Sequence, residues 1–384
     1  MKVVIAPQSF KGGLSGVEVA KAVAEGVLSI YPEAEVVQIP VADGGDGTLD
    51  ALVKSTGGEL FTSLVTGPLG EPVSALWGVM GDGHTTVIEM ARASGLALVP
   101  PRRRNPRVTT TYGTGELIRE AVDRGYRRIV VGLGGSATND GGAGMAQALG
   151  VRLLDSNGKE LPPGGAALSR LARIDMSGLR RGVMEARITA ATDVTNPLCG
   201  PSGAAAIYGP QKGASPEVVE ELDKALDHLS HIIKRNLGVD VRDVPRAGAA
   251  GGLGAGLMAF VNAEVESGID LVCQVLGVDE HLVGAELVIT GEGRVDASTI
   301  YDKAPVGVAR RAKARAIPVI AMVGSLGPGY EEVYKHGIDA VVPLLDRPMS
   351  FEESISRTYG LLRSATERTM RLLRVGVLIP SSAP

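Results

Sequence analysis

The sequence has 384 residues, room for two domains, with 44% apolar and 21% charged residues and a formal net charge of −4. That balance excludes a basic field for nucleic acid or an anionic membrane, and 3% aromatic residues argue against a base-stacking platform. Glycine is the outlier at 52 residues, roughly twice the usual share, and it falls in clusters that imply tight backbone loops.

Along the chain, Lys2–Ala6 reads as a buried parallel strand, followed by a polar stretch and a helix from Ser15 to about Ile30, where Ser15 and Glu18 form a capping box. A second strand, Glu35–Ile39, leads into Ala42–Gly47, and Thr48 opens a short helix, giving the βαβ rhythm of a doubly wound domain. From Glu59 to Met90 short alternating strands with Gly-Pro turns predict antiparallel pairing. Pro100 to Val283 mixes helices, short strands and glycine loops. At Ala285 the βα rhythm returns through ELVIT, PVIAMVG, DAVVPLL and a long last helix, and the tail 376–384 is expected to fray. The fold expected is α/β: a doubly wound, mostly parallel-sheet domain built from 1–64 and 284–376, with a glycine-rich α+β domain, 65–283, inserted into it.

Cys199 and Cys273 are far apart in sequence and the five histidines form no zinc-type cluster, so a reducing compartment without structural zinc is expected. The N-terminus turns polar after five residues and the longest uncharged run, 247–263, is mostly Gly and Ala, so neither a signal peptide nor a membrane span is expected. The expectation is a cytoplasmic protein with no membrane or nucleic-acid partner.

Glycine loops carry the candidate chemistry. Gly132, Gly134 and Ala137 spell G-x-G-x-x-A after a strand, which keeps a dinucleotide-binding dehydrogenase open, but Gly254, Gly256 and Ala259 match as well. A backbone nest is the stronger reading: Gly134 and Gly135 amides with Ser136, Thr138 and Asn139 facing an anion, against the plainer reading of a tight strand-to-helix turn. Three further polar loops follow strands of the outer sheet, at Ser9–Gly13, Asp43–Thr48 and Gly291–Asp296, with Lys303 just beyond. Ligands of open α/β sheets bind at that edge. Asp43, Asp46, Glu292 and Asp296 beside Lys11 and Lys303 suit a magnesium–phosphate site, because phosphoryl transfer rests on positioning and charge neutralisation. The inserted region adds Arg92 and Ser94, Asp193 and Asn196, Gln211 and Lys212, and a basic run at Arg102, Arg103, Arg104 and Arg107.

APQSFKGGLS, ADGGDGT, RNPRVTTTYGTGELI, GGSATNDGGAGMAQALG, TDVTNPLCGPSGA, YGPQKGA, AGAAGGLGAGL and ELVITGEGRVD, in this order over nearly the whole chain, resemble the bacterial glycerate kinase family. The resemblance implies a two-domain enzyme with its active site in the inter-domain cleft and magnesium-dependent transfer of the ATP γ-phosphoryl group to D-glycerate. Four positions depart from the family pattern: Gln8 and Asp46 stand where Asp and Glu are usual, Ser298 replaces Gln, and Asp302 replaces Gly. With Gln8 in place of an acid, a catalytically silent nucleotide or acid sensor stays open.

The roles expected on this reading are as follows. Lys11 and Lys303 neutralise phosphate, helped by amides of Gly12, Gly13, Gly134 and Gly135, with Ser136 and Asn139 beside them. Asp43, Asp46 and Glu292 hold or orient magnesium. Asp193 receives the substrate proton, with Asp296 as second choice. Arg92, ahead of Arg104, grips the glycerate carboxylate, and Ser9, Ser94, Asn196 and Lys212 complete the substrate contacts. Either a monomer or a homodimer is compatible with this reading.

Overall fold

The computed structural model describes residues 1–10, 12–45, 47–301 and 303–378. Its strands, in chain order, are β1 (Lys2–Pro7), β2 (Glu35–Gln38), β3 (Glu59–Thr66), β4 (Pro72–Val79), β5 (Thr85–Glu89), β6 (Arg128–Gly132), β7 (Arg152–Leu154), β8 (Arg173–Asp175), β9 (Arg187–Ala191), β10 (Glu264–Glu266), β11 (Leu287–Val295), β12 (Val319–Leu326) and β13 (Ala340–Pro343). The chain divides into two compact units, Met1–Asp43 with the chain from Ile269 onward, and Gly44–Gly268. The edges fall at 43/44 and 268/269 rather than at the expected 64/65 and 283/284; at the first, β3 pairs with β4 in the second unit's sheet, so 59–66 belongs there.

The first unit holds a five-stranded sheet of order β13-β12-β11-β1-β2 with every pairing parallel. Val3, Val4, Ile5 and Ala6 are all fully buried, as an unbroken apolar strand covered on both faces requires. Ser15 caps helix Gly16–Leu28 and forms the expected box with Glu18, each satisfying an amide that would otherwise lack a partner. That helix crosses helix Thr358–Leu378 at Gly26, where a Cβ would come within 2.6 Å of Thr366 Cβ. The strand order reverses between β1, which leads outward to β2, and β11, which leads through β12 to β13. This is the switch point at which such sheets leave a crevice.

One sequence expectation changes here. Gly291–Asp296 was expected as a loop, yet β11 continues to Val295, pairing Glu292 with Val323 and Arg294 with Ser325. Gly291 permits the extension: a Cβ there would stand 2.1 Å from Met322 O.

The second unit carries a six-stranded sheet of order β10-β9-β6-β5-β4-β3. The β3–β4 and β4–β5 pairs are antiparallel, as expected from Glu59–Met90, but β5, β6, β9 and β10 run parallel. Sequence alternation did not reveal this parallel half, since its crossovers are long and irregular. The core closes around Trp77, fully buried, stacked on Phe61 with ring centroids 4.8 Å apart and donating from Nε1 to Ser63 Oγ at 2.8 Å. Among the described residues no helix is long and apolar enough to cross a membrane.

Candidate active site

In the first unit, the carboxyl ends of β1, β11, β12 and β13 open on a cavity of about 710 Å³, within the usual range for small-molecule pockets. Gln8, Ser9, Glu292, Asp296 and Lys303 line it, so two of the three loops expected at this edge, with Lys303, line the cavity. Lys11, Asp46 and Asp302 lie outside the described residues. Glu292 is buried, and burial pushes its carboxyl up to about 7 despite the nearby Lys303 ammonium and a 2.7 Å hydrogen bond from Thr299 Oγ1; Asp43 and Asp296 push it the same way. Three carboxylates that repel one another beside a lysine are a donor set that a hard dication relieves. Among the described residues no three acidic, histidine or cysteine side chains form a ready metal cage.

Asp296 has a local structural duty. Its Oδ1 accepts from the Ser298 amide at 2.9 Å and from the Ser298 hydroxyl, capping the turn Ala297–Ile300, and these bonds hold its carboxyl below the ordinary range. The departure at Ser298 thereby finds its partner. Gly13 is also committed, its amide donating to Phe10 O at 2.8 Å, whereas Gly12 sits in open space at φ +79°. The buried Gln8 donates its backbone N–H to Gly291 O.

In the second unit, the carboxyl ends of β5, β6 and β9 bring Glu89, Leu133–Asp140 and Thr192–Asn196 together. Gly134 donates its amide to Gly44 O at 3.1 Å, and a Cβ on it would lie 2.4 Å from Gly45 Cα. The Gly134 amide is therefore engaged with its own chain rather than offered to phosphate. The next helix opens only at Ala143, well past Ala137, so the dinucleotide fingerprint fails. Glycines here let backbones touch: a Cβ on Gly251 would lie 1.9 Å from Thr138 O.

Several expected substrate contacts turn inward. Ser94 is fully buried, its hydroxyl 2.9 Å from that of Thr114. Asn196 donates to Ser202 O at 2.7 Å and accepts from Tyr208 Oη at 2.6 Å. Arg92 donates from Nε to Glu89, 2.8 Å, and the buried Glu89 also accepts the amides of Gly47 and Leu49. Lys212 is buried and donates to Thr138 O at 2.7 Å; burial brings its ammonium down to about 7 against the pull of Asp140. Asp140 is itself fully buried and accepts from the Thr111 amide and hydroxyl and from the amides of Gly142 and Gly144, while burial raises its carboxyl. Lys212 therefore positions the Thr138–Asp140 turn.

Two side chains beside that turn keep unused polar atoms. Asn139 is fully buried, with no partner for either amide atom among the described residues, and Arg104 Nε is likewise without one. Arg104 Nη1 stands 3.4 Å from Gln211 O, next to Lys212. Arg103 and Arg107, by contrast, pair with Glu71 and Glu221. Asp193 is half-buried just beyond β9, and Ser136 is buried. Sequence reasoning missed Glu89 and Thr299; an acid closing the apolar run TTVIE was the available signal for Glu89.

The family model described as the glycerate kinase family matches residues 3–374. A glycerate 2-kinase of Escherichia coli (strain K12) is 51% identical over 98% of this chain and 99% of its own length. A glycerate kinase of Bacillus subtilis (strain 168) is 49% identical over 97% of this chain and 96% of its own. A solved crystal structure from Salmonella typhimurium LT2 superposes with a TM-score of 0.87 at 47% identity, covering 99% of this chain and all of that one. Near-complete coverage in both directions, by sequence and by structure, leaves the kinase reading and removes the dehydrogenase. The chain belongs to the glycerate kinase family.

Proposed function

We propose that this chain transfers the γ-phosphoryl group of ATP to the 2-hydroxyl of D-glycerate. The observation that carries the reading is the buried Glu292 set with Asp43, Asp296 and Lys303 at the switch point of a parallel sheet. The 2-position follows the name borne by the Escherichia coli relative.

Each unit contributes its own groups. In the first, Lys303, with Lys11 and the Gly12 backbone, neutralises and cradles phosphate oxygens, and Ser9 adds a hydroxyl. Glu292 and Asp43, with Asp46, would hold a magnesium ion, which supplies charge neutralisation on the triphosphate. Asp296 fixes the turn that leads to Lys303. In the second unit, Arg104 takes the glycerate carboxylate in place of Arg92, since Arg92 is engaged by Glu89. Asp193 accepts the proton of the attacking hydroxyl as its oxygen bonds to the γ-phosphorus and the bond to the β-phosphate bridging oxygen breaks.

Phosphorus NMR of the products, with ADP release followed with and without D-glycerate, tests the reading. Glycerate-dependent ADP release with 2-phosphoglycerate as product is expected. A 3-phospho product would overturn the regiochemistry, and ATP binding without release would favour a silent sensor instead. Asp193→Asn should lower kcat by about 10³-fold with ADP affinity unchanged; near-normal kcat would remove Asp193 as the base.

A further inference from the structure

Besides Glu292, Arg294, Asp296 and Lys303, apolar side chains line the cavity of the first unit: Phe10, Leu345, Met349, Phe351 and Ile355. Two of these side chains gain nothing from the core: Phe351 is 74% exposed and Leu345 44% exposed. An aromatic ring left in solvent at the rim of a cavity, in a chain with four phenylalanines, is a surface in search of a planar partner. Ser354, on the same lining, donates its hydroxyl to Phe351 O at 2.7 Å, which leaves acceptor lone pairs on Oγ for a ligand.

We propose that the apolar part of this cavity is the nucleoside subsite: an adenine ring stacks on Phe351, its amino group faces the Ser354 oxygen, and its phosphates run toward Lys303. This rests on the kinase reading for the phosphate end, while the base end stands on the cavity itself. Two observations support it. The cavity crosses the carboxyl ends of four of the five parallel strands at the switch point, where mononucleotide crevices form. About 710 Å³ accommodates a nucleoside with its phosphates.

The test titrates the full-length protein by calorimetry with ADP and, separately, with inorganic tripolyphosphate. Phe351→Ala should weaken ADP about tenfold while moving tripolyphosphate by less than about twofold, since stacking on the base is lost and the charged side chains are untouched. Phe351→Trp should keep ADP affinity, and the fluorescence of the new indole should be quenched on ADP binding. Unchanged ADP affinity in Phe351→Ala, or an equal loss for both probes, would overturn the subsite. The side chain is exposed, so neither variant should disturb folding. If glycerate-dependent ADP release fails while Phe351→Ala still weakens ADP alone, the kinase reading falls and the nucleoside subsite stands.

Discussion

A Cβ placed on Gly12, in the first unit, meets nothing within 4 Å; one placed on Gly251, in the second, lies 1.9 Å from Thr138 O. Both residues have positive φ, yet one glycine answers to conformation alone and the other to conformation and space together. Buried charge divides the same way. Glu292 lines an open cavity and is held near neutrality by burial. Asp140 and Lys212 are sealed in, each hydrogen-bonded to surrounding backbone. Glycine abundance thus serves two ends in one chain: loops that leave room for a ligand, and loops packed so closely that a rigid acceptor framework results.

The largest expected effect comes from the sealed region. Gly251→Val drives a side chain into the Thr138–Asn139 backbone and strains a left-handed residue, which should cost about 4 kcal/mol. Trp77 is the sole tryptophan and lies in the core of the second unit, so its fluorescence reports that unit. The urea midpoint read by Trp77 should fall sharply. A midpoint within error of the parent would mean the close approach at Gly251 is easily relieved, and the contrast with Gly12 would lose its basis.

Glu292 gives the next effect, with a definite sign. Its carboxyl, pushed by burial from 4.5 to about 7, keeps its proton in the folded state while the unfolded chain releases one. The folded state therefore loses stability as pH rises from about 4.5 to 7, by about 3 kcal/mol at most. Glu292→Gln should abolish this decline in the ligand-free protein, leaving the variant more stable than the parent at pH 8, and kcat should fall by about 10²-fold. Urea unfolding followed by far-ultraviolet circular dichroism at pH 5 and pH 8 measures it. Parallel declines in parent and variant would show that Glu292 titrates as an ordinary exposed acid.

How much of this was legible beforehand follows from the range of the interactions. The Ser15–Glu18 cap and the apolar strands KVVIA and ELVIT depend on neighbours a few residues away, and the sequence displays such neighbours directly. The collection of Gln8, Glu292 and Lys303 at one sheet edge also followed, because parallel strands must send their loops to one side. The fate of individual polar groups did not follow. Lys212 bonds a carbonyl 74 positions away, and a lysine between Gln and Gly looks like a surface residue until that carbonyl arrives. Asn196 and Ser94 read as ligand groups because their internal partners, Tyr208 and Thr114, carry no mark of partnership in the sequence. Phe351 was passed over because one aromatic residue beside a helix start is unremarkable without the cavity under it.

The smallest effect separates conformation from space. At Gly12→Ala the new methyl meets no atom, so only the left-handed backbone penalty remains, about 1 to 2 kcal/mol. The amide stays in place, so ADP affinity should move by less than about threefold if that backbone serves the phosphates. The loss should appear in the circular dichroism transition of the first unit and leave the Trp77 midpoint where it was. A Trp77 midpoint displaced equally with the dichroism would show the two units unfolding as one cooperative body, and the stability of each could then no longer be attributed to its own glycines. A loss as large as that of Gly251→Val would mean that Gly12 has close neighbours after all, and open space would cease to distinguish the two loops.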